Sequence, residues 1–170
     1  MGMIQKGLLI AASLVFTSAA FALDKIAVYD PQKAMLSTEV AKQRVTALQS
    51  TVEFSALNAR FESLKSDLDK LNKEAQTNGM TWSQEQKLAH RKKMEYTNAD
   101  LQLAQKKLNA ELNDAGKLVI QELQVKAQDI LRQIVIAEKI GLLLNSNSAL
   151  FANAEFDITA KVTDALNKSQ

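Results

Sequence analysis

The sequence predicts a mainly α-helical protein with a small β body: a long antiparallel helical hairpin standing as a coiled-coil arm on a base made from the two chain ends. Three observations predict it. Residues 38–138 hold no proline, and Asn78-Gly79, near their middle, is the one strong turn signal among them. Leu57, Phe61, Leu64, Leu68, Leu71 and Ala75 recur with 4-3-4-3-4 spacing, a heptad seam. Short apolar runs with strand character lie only outside this region, at residues 24–30 and 139–145.

Composition agrees. The 170 residues include one proline, five glycines and 5% aromatics, too few for a turn-rich all-β fold. There is no cysteine, which excludes disulfides, thiol chemistry and cysteine-based metal sites. The single histidine, His90, cannot form a histidine cluster; its basic neighbours give it the reading of a solvated residue at the arm tip.

The first 22 residues read as a cleaved export signal. Lys6 supplies the positive start, residues 7–16 an apolar run of about ten residues, and Ala20-Phe21-Ala22 a cleavage site. A spanning helix needs about 20 apolar residues, so this run is too short for a permanent anchor. Without Lys6 the chain keeps 20 basic and 19 acidic residues, a net charge of +1. The mature chain is expected outside the cytoplasm, as a soluble protein remote from ATP.

In chain order, Asp24-Lys-Ile-Ala-Val-Tyr-Asp30 reads as a strand with Ile26 and Val28 on one face and Ala27 and Tyr29 on the other. Asp30-Pro31 stops it and caps a helix. That first helix is expected over 31–76, with a register break near Phe54. Ser83 and Gln86 fit a capping box opening a second helix, expected over 83–138. Its seam is read as Met94, Asn98, Leu101, Gln105, Leu108, Leu112, Ala115 and Val119. A reversal near Gly79 then sets Leu57 against Leu101, Leu64 against Met94, and Leu71 near Leu88. Gly116, inside the second helix, reads either as close helix packing or as a hinge near the root of the arm. Beyond it, residues 139–145 read as a doubly buried strand, 149–153 as a second strand forming a hairpin with it, and Asp157 as the cap of a last helix striped by Ile158, Val162, Ala165 and Leu166.

The expected organisation is therefore a signal over 1–22, a β-rich oligomerisation body from 23–37 and 131–170, and an arm over 38–130 that turns near 77–82. Three short strands cannot shield Leu142, Leu143 and Leu144 within one subunit, so strands from several copies are expected to close a shared core.

Lys25-Ile-Ala-Val-Tyr-Asp30 with Gln32-Lys-Ala34, then Ile140-Gly-Leu-Leu-Leu-Asn145 followed by Phe156-Asp-Ile-Thr-Ala-Lys-Val162, resembles the Skp (OmpH-like) periplasmic chaperones. The terminal segments carry the resemblance; the central hundred residues match in kind only. It implies a homotrimer with a β-rich body and three helical tentacles around a cavity. It implies an ATP-independent holdase for unfolded outer-membrane proteins, with Ile26, Val28, Leu142 and Leu144 in the trimeric body. Members of that family are often markedly basic, whereas this chain without its signal is near neutral.

Basic residues do gather toward the tip: seven Lys/Arg against four acids between Lys65 and Lys93. Met80, Trp82, Lys87, Arg91, Lys92 and Lys93 are the candidate tip contacts to a client or to an anionic membrane surface. For Trp82 and Met80 the alternative is a local cover over the turn. No catalytic constellation, glycine-rich phosphate loop or metal-ligand cluster is legible, so neither an enzyme nor a cofactor is expected. Lys/Arg runs without interleaved aromatics, in an exported chain, argue against nucleic acid as a partner. The competing function is an exported coiled-coil adaptor bridging two envelope components.

Overall fold

The computed structural model describes residues Lys25 to Ser169; the expected export signal lies outside them. The chain forms strand β1 (Lys25–Tyr29), helices α1 (Pro31–Leu36), α2 (Glu39–Gln49), α3 (Val52–Asn78) and α4 (Gln84–Ala137), strand β2 (Ile140–Asn145) and helix α5 (Thr159–Lys168). Helices α3 and α4 make the antiparallel arm. The base gathers the two strands, α1, α2, α5 and the last turns of α4.

The helix starts follow from local chemistry. Asp30 accepts a hydrogen bond from the Lys33 amide at 2.9 Å, and Pro31 takes the first helical position, where a missing N–H costs nothing. The Ser83–Gln86 capping box forms in full: the Gln86 amide donates to Ser83 Oγ at 3.2 Å and the Ser83 amide to Gln86 Oε1 at 2.8 Å.

The first arm strand of the hairpin differs from the single helix expected over 31–76. It breaks twice, at Ser37-Thr38 and at Ser50-Thr51. At each break a serine closes one helix and a threonine opens the next. Thr38 Oγ1 donates to the Met35 carbonyl at 2.7 Å and accepts from the Ala41 amide. Thr51 Oγ1 donates to the Leu48 carbonyl at 2.8 Å and accepts from the Phe54 amide. These hydroxyls offer the backbone an alternative to continuing the helix. The break expected near Phe54 thus falls a few residues earlier. Thr38 is fully buried, so that junction is fixed in the core, while Thr51 is exposed.

Gly79 closes α3 with helical φ of −58° and ψ of −28°. Its lack of a side chain matters because a Cβ there would lie 2.3 Å from the Ala75 carbonyl oxygen. Among the described residues the left-handed one is Lys139, with φ of 53°, at the sharp change of direction between α4 and β2.

The base is a two-stranded sheet, not three strands. β2 does not pair with 149–153, which forms no strand; it pairs in parallel with β1, with Ile26 opposite Leu142 and Val28 opposite Leu144. A parallel pair needs a crossover connection, and here the entire helical hairpin supplies it. Ala27, Tyr29, Ile140 and Leu143 face the helices and join Ala34, Met35, Val119, Leu123, Ala127, Ile158, Val162 and Leu166 in one core. This core climbs α4 as far as Val119. The expected stripe on the last helix is present, with Ile158, Val162 and Leu166 buried. Asp157 accepts from the Thr159 amide at 2.8 Å, although Ile158 holds the capping position.

Glu138, at the end of α4, fastens the base by ion pairs to Lys25 of β1 and to Lys161 of α5. The hydrogen bonds from Lys161 and Lys25 hold its carboxyl below the ordinary range. Asp157 is likewise lowered, chiefly by its hydrogen bonds from Thr159. Burial, with the charge of Asp30 beside it, raises Tyr29.

Candidate functional surfaces: base face, arm and tip

A sheet one residue period deep has two faces, and only one is covered here. Ile26, Leu142 and Leu144 point away from the core; Ile26 is 47% and Leu142 48% exposed. Val28 shares that face but is buried, because its carbonyl accepts from the Ile158 amide and a bridge to Asp157 covers it. Next to this sheet, the segment after β2 carries Leu150 and Phe151, both almost wholly exposed. Parallel sheets are ordinarily buried on both faces. The four expected body residues therefore sit together on paired strands, with three of them on an uncovered apolar face.

The arm is slender. Leu57, Phe61, Leu64, Leu68, Leu71 and Ala75 all turn inward, as their spacing predicts, but only Leu71 is buried outright. On α4 the seam is shifted from the expected one. Asn98 and Gln105 are exposed, and Thr97 and Ala104 occupy the inward positions beside Leu101 and Leu108. This removes the need to satisfy two buried amides, a cost that burial of Asn and Gln carries. The register moves with it: Met94 shares a groove of about 270 Å³ with Leu68 rather than facing Leu64, and His90 rather than Leu88 lies against Leu71. Arg60 and Asp100 cross the hairpin at 3.4 Å.

α4 also carries a second apolar stripe that the seam reading missed. Tyr96, Leu103, Leu118 and Val125 are all more than half exposed. With Ala110 between them the steps are 7, 7, 8 and 7, close to two helical turns each, which puts them on one face. The signal was present in the sequence, but one apolar residue per two turns is too sparse to register as a seam.

Gly116 lies in unbroken helix, in a groove of about 470 Å³ at the root of the arm lined by Leu36, Val45, Leu112 and Val119. A Cβ at Gly116 would meet Leu36 Cδ2 at 3.5 Å, ordinary contact, so close packing does not require glycine there.

At the tip, Met80 is 97% exposed and Leu88 half exposed. Lys87, Arg91, Lys92 and Lys93 are all exposed on the first turns of α4, Arg91 paired with Glu95 at 3.1 Å. Trp82 turns inward instead, its ring 4.4 Å from that of His90. His90 is not the solvated residue expected: it is half-buried, with Nε2 3.0 Å from the Leu71 carbonyl oxygen. Among the described residues no three His, Cys, Asp or Glu side chains gather as a metal site, and no helix is long and apolar enough to cross a membrane.

The family model described as outer membrane protein (OmpH-like) matches residues 25–166. A Skp-like protein of Pseudomonas aeruginosa is 24% identical over 160 residues, covering 94% of both chains. A solved structure, described as that of a candidate outer membrane chaperone (OmpH-like) from Caulobacter crescentus CB15, is similar over 88% of this chain and 87% of that one, with 21% identity and a TM-score of 0.47.

Proposed function

Since the chain belongs to the OmpH-like outer membrane protein family, we propose that it is an ATP-independent holdase chaperone of the periplasm. It keeps unfolded outer-membrane β-barrel proteins from aggregating before they insert. Three copies join through the open face of Ile26, Leu142 and Leu144, and their arms enclose a cavity for the client.

The observation that carries this reading is the contrast between base and arm. Buried apolar residues concentrate in the base, while α4 leaves Tyr96 and Leu103 uncovered on the arm and Leu118 and Val125 uncovered at its root. A long helical element with a sparse exposed stripe offers many weak contacts and no single pocket. Multiplicity across three arms then supplies avidity without a tight site. Weak contacts also suit release without ATP, since each breaks independently as the client folds. The tip residues Met80, Lys87, Lys92 and Lys93 add contacts at the rim of the cavity.

The test dilutes a urea-unfolded outer-membrane barrel protein into buffer and follows light scattering. One trimer equivalent of this chain abolishes most of the scattering. Scattering at the level of the chaperone-free control would sink the holdase reading. Replacing 76–83 with a short Gly/Ser turn leaves suppression largely intact in a holdase, whereas an adaptor that docks a folded partner through its tip loses its binding.

A further inference from the structure

The tip of a two-helix arm is where fraying is expected: the pairing ends and the turn is solvated. Here the turn is instead fastened to both helices. Thr81 Oγ1 donates to the Asn78 carbonyl at 2.8 Å, and the capping box closes the start of α4. Above these local bonds sits one long-range contact. His90, two turns into α4, reaches the Leu71 carbonyl on α3 and packs its ring against Trp82 of the loop. A carbonyl oxygen only accepts, so Nε2 carries the hydrogen and donates; the oxygen has a lone pair beyond its own helical bond. One imidazole thus touches α3, α4 and the turn.

We propose that His90 is a positioning residue for the arm tip: through Trp82 and the Leu71 carbonyl it fixes the turn so that Met80 stands out at the apex as a preformed contact. This rests on the holdase reading only in taking the tip as part of the client surface. The turn has no other aromatic contact to orient it, since the Trp82–His90 pair is the one aromatic pair among the described residues. Trp82 is held inward, so its large ring anchors the loop rather than the client. Met80, whose side chain is flexible and polarizable, suits contact with varied apolar segments. Ordering the loop in advance removes its entropy cost from the binding step.

Two substitutions separate the two parts of the clip. His90→Gln keeps an amide donor toward Leu71 without the ring; His90→Phe keeps the ring without the donor. His90→Ala loses both. Amide exchange of 79–86, measured on the full exported chain without client, rises about fivefold in His90→Ala, the equivalent of one hydrogen bond of ~1 kcal/mol, and less in His90→Gln. Emission of Trp82, the sole tryptophan, shifts to longer wavelength in His90→Ala and stays closer to wild type in His90→Phe. Wild-type exchange and emission in His90→Ala would overturn the clip.

The positioning role is read by a double-mutant cycle on client binding. Met80→Ser weakens retention of an unfolded barrel protein about twofold in the wild-type background and has no further effect in His90→Ala. Equal cost in both backgrounds, or no cost in either, refutes positioning while aggregation suppression by the wild type leaves the holdase reading standing.

Discussion

Leu166→Ala tests where this chain keeps its stability. Leu166 is wholly buried in α5, packed in the core with Val162, Ile158 and the inner face of the sheet. Truncation removes a methine and two methyl carbons from water-excluded space and leaves a cavity that the packed base cannot easily close. The expected cost is about 3 kcal/mol. Leu64→Ala is the matched control in the arm. Leu64 has the same side chain but is only partly buried, and its one partner helix can shift to fill the gap. Incomplete burial and a gap that can close put its cost at about 1 kcal/mol. Urea unfolding followed by circular dichroism at 222 nm, at one fixed protein concentration, reads both. With a slope of ~2 kcal/mol/M, Leu166→Ala lowers the midpoint by about 1.5 M and Leu64→Ala by about 0.5 M. If Leu64→Ala costs as much as Leu166→Ala, the arm shares the load equally and the division into holding base and working arm is wrong.

Other outcomes follow from single features. Gly116→Ala raises stability by about 0.5–1 kcal/mol in the same urea assay, because helix propensity improves and the new methyl group meets Leu36 at ordinary distance; a loss of stability means the groove closes on Gly116 in the assembled protein. Ser83→Ala removes half of the capping box and costs about 1 kcal/mol, seen first as faster amide exchange at the start of α4. Glu138 and Asp157 have lowered folded values, so their contribution is complete above the ordinary carboxylate range and is lost as pH falls through the folded values. Thermal midpoints should therefore hold steady down to about pH 5 and fall below it, and Glu138→Gln should flatten that fall; an unchanged acid slope in the variant removes Glu138 from the account. Leu142→Lys with Leu144→Lys places charges on the open sheet face and converts the proposed trimer to monomer in light scattering, with helix content retained; a trimer that survives both charges removes this face from the interface.

Much of this architecture was legible in the sequence because it rests on periodicity and local chemistry. The heptad spacing from Leu57 to Ala75, the Asp30-Pro31 start and the Ser83–Gln86 box are all local signals, and each has its physical counterpart in the fold. Sheet pairing was not local. Residues 139–145 and 149–153 sit close in sequence and read as a hairpin, but β1, more than a hundred residues away, takes the partner's place. Nothing in a strand's own composition distinguishes a near partner from a distant one. The break at Ser37-Thr38 was missed, and the one at Ser50-Thr51 was read as a register change near Phe54, because Ser-Thr pairs carry weak signals within a helical pattern; only their hydroxyl bonds, visible in three dimensions, decide for a break. On α4 the seam erred by one position at Asn98 and Gln105, where polar residues were admitted to a seam that Thr97 and Ala104 fill at lower cost.

The candidate surfaces divide the same way. Ile26, Leu142 and Leu144, which the family resemblance names, stand on the open sheet face, while Leu143, which the shielding argument grouped with Leu142 and Leu144, turns toward the helices. The role of His90 was hidden, since a lone histidine among lysines reads as solvated until the hairpin register brings Leu71 and Trp82 to it.

Native mass spectrometry of residues 23–170 with an unfolded outer-membrane barrel protein bears most directly on the whole account. Three chains sharing a body and enclosing one client predict a trimer alone and a trimer carrying one client in the same spectrum. A monomer throughout, or a trimer that never takes up client, contradicts it.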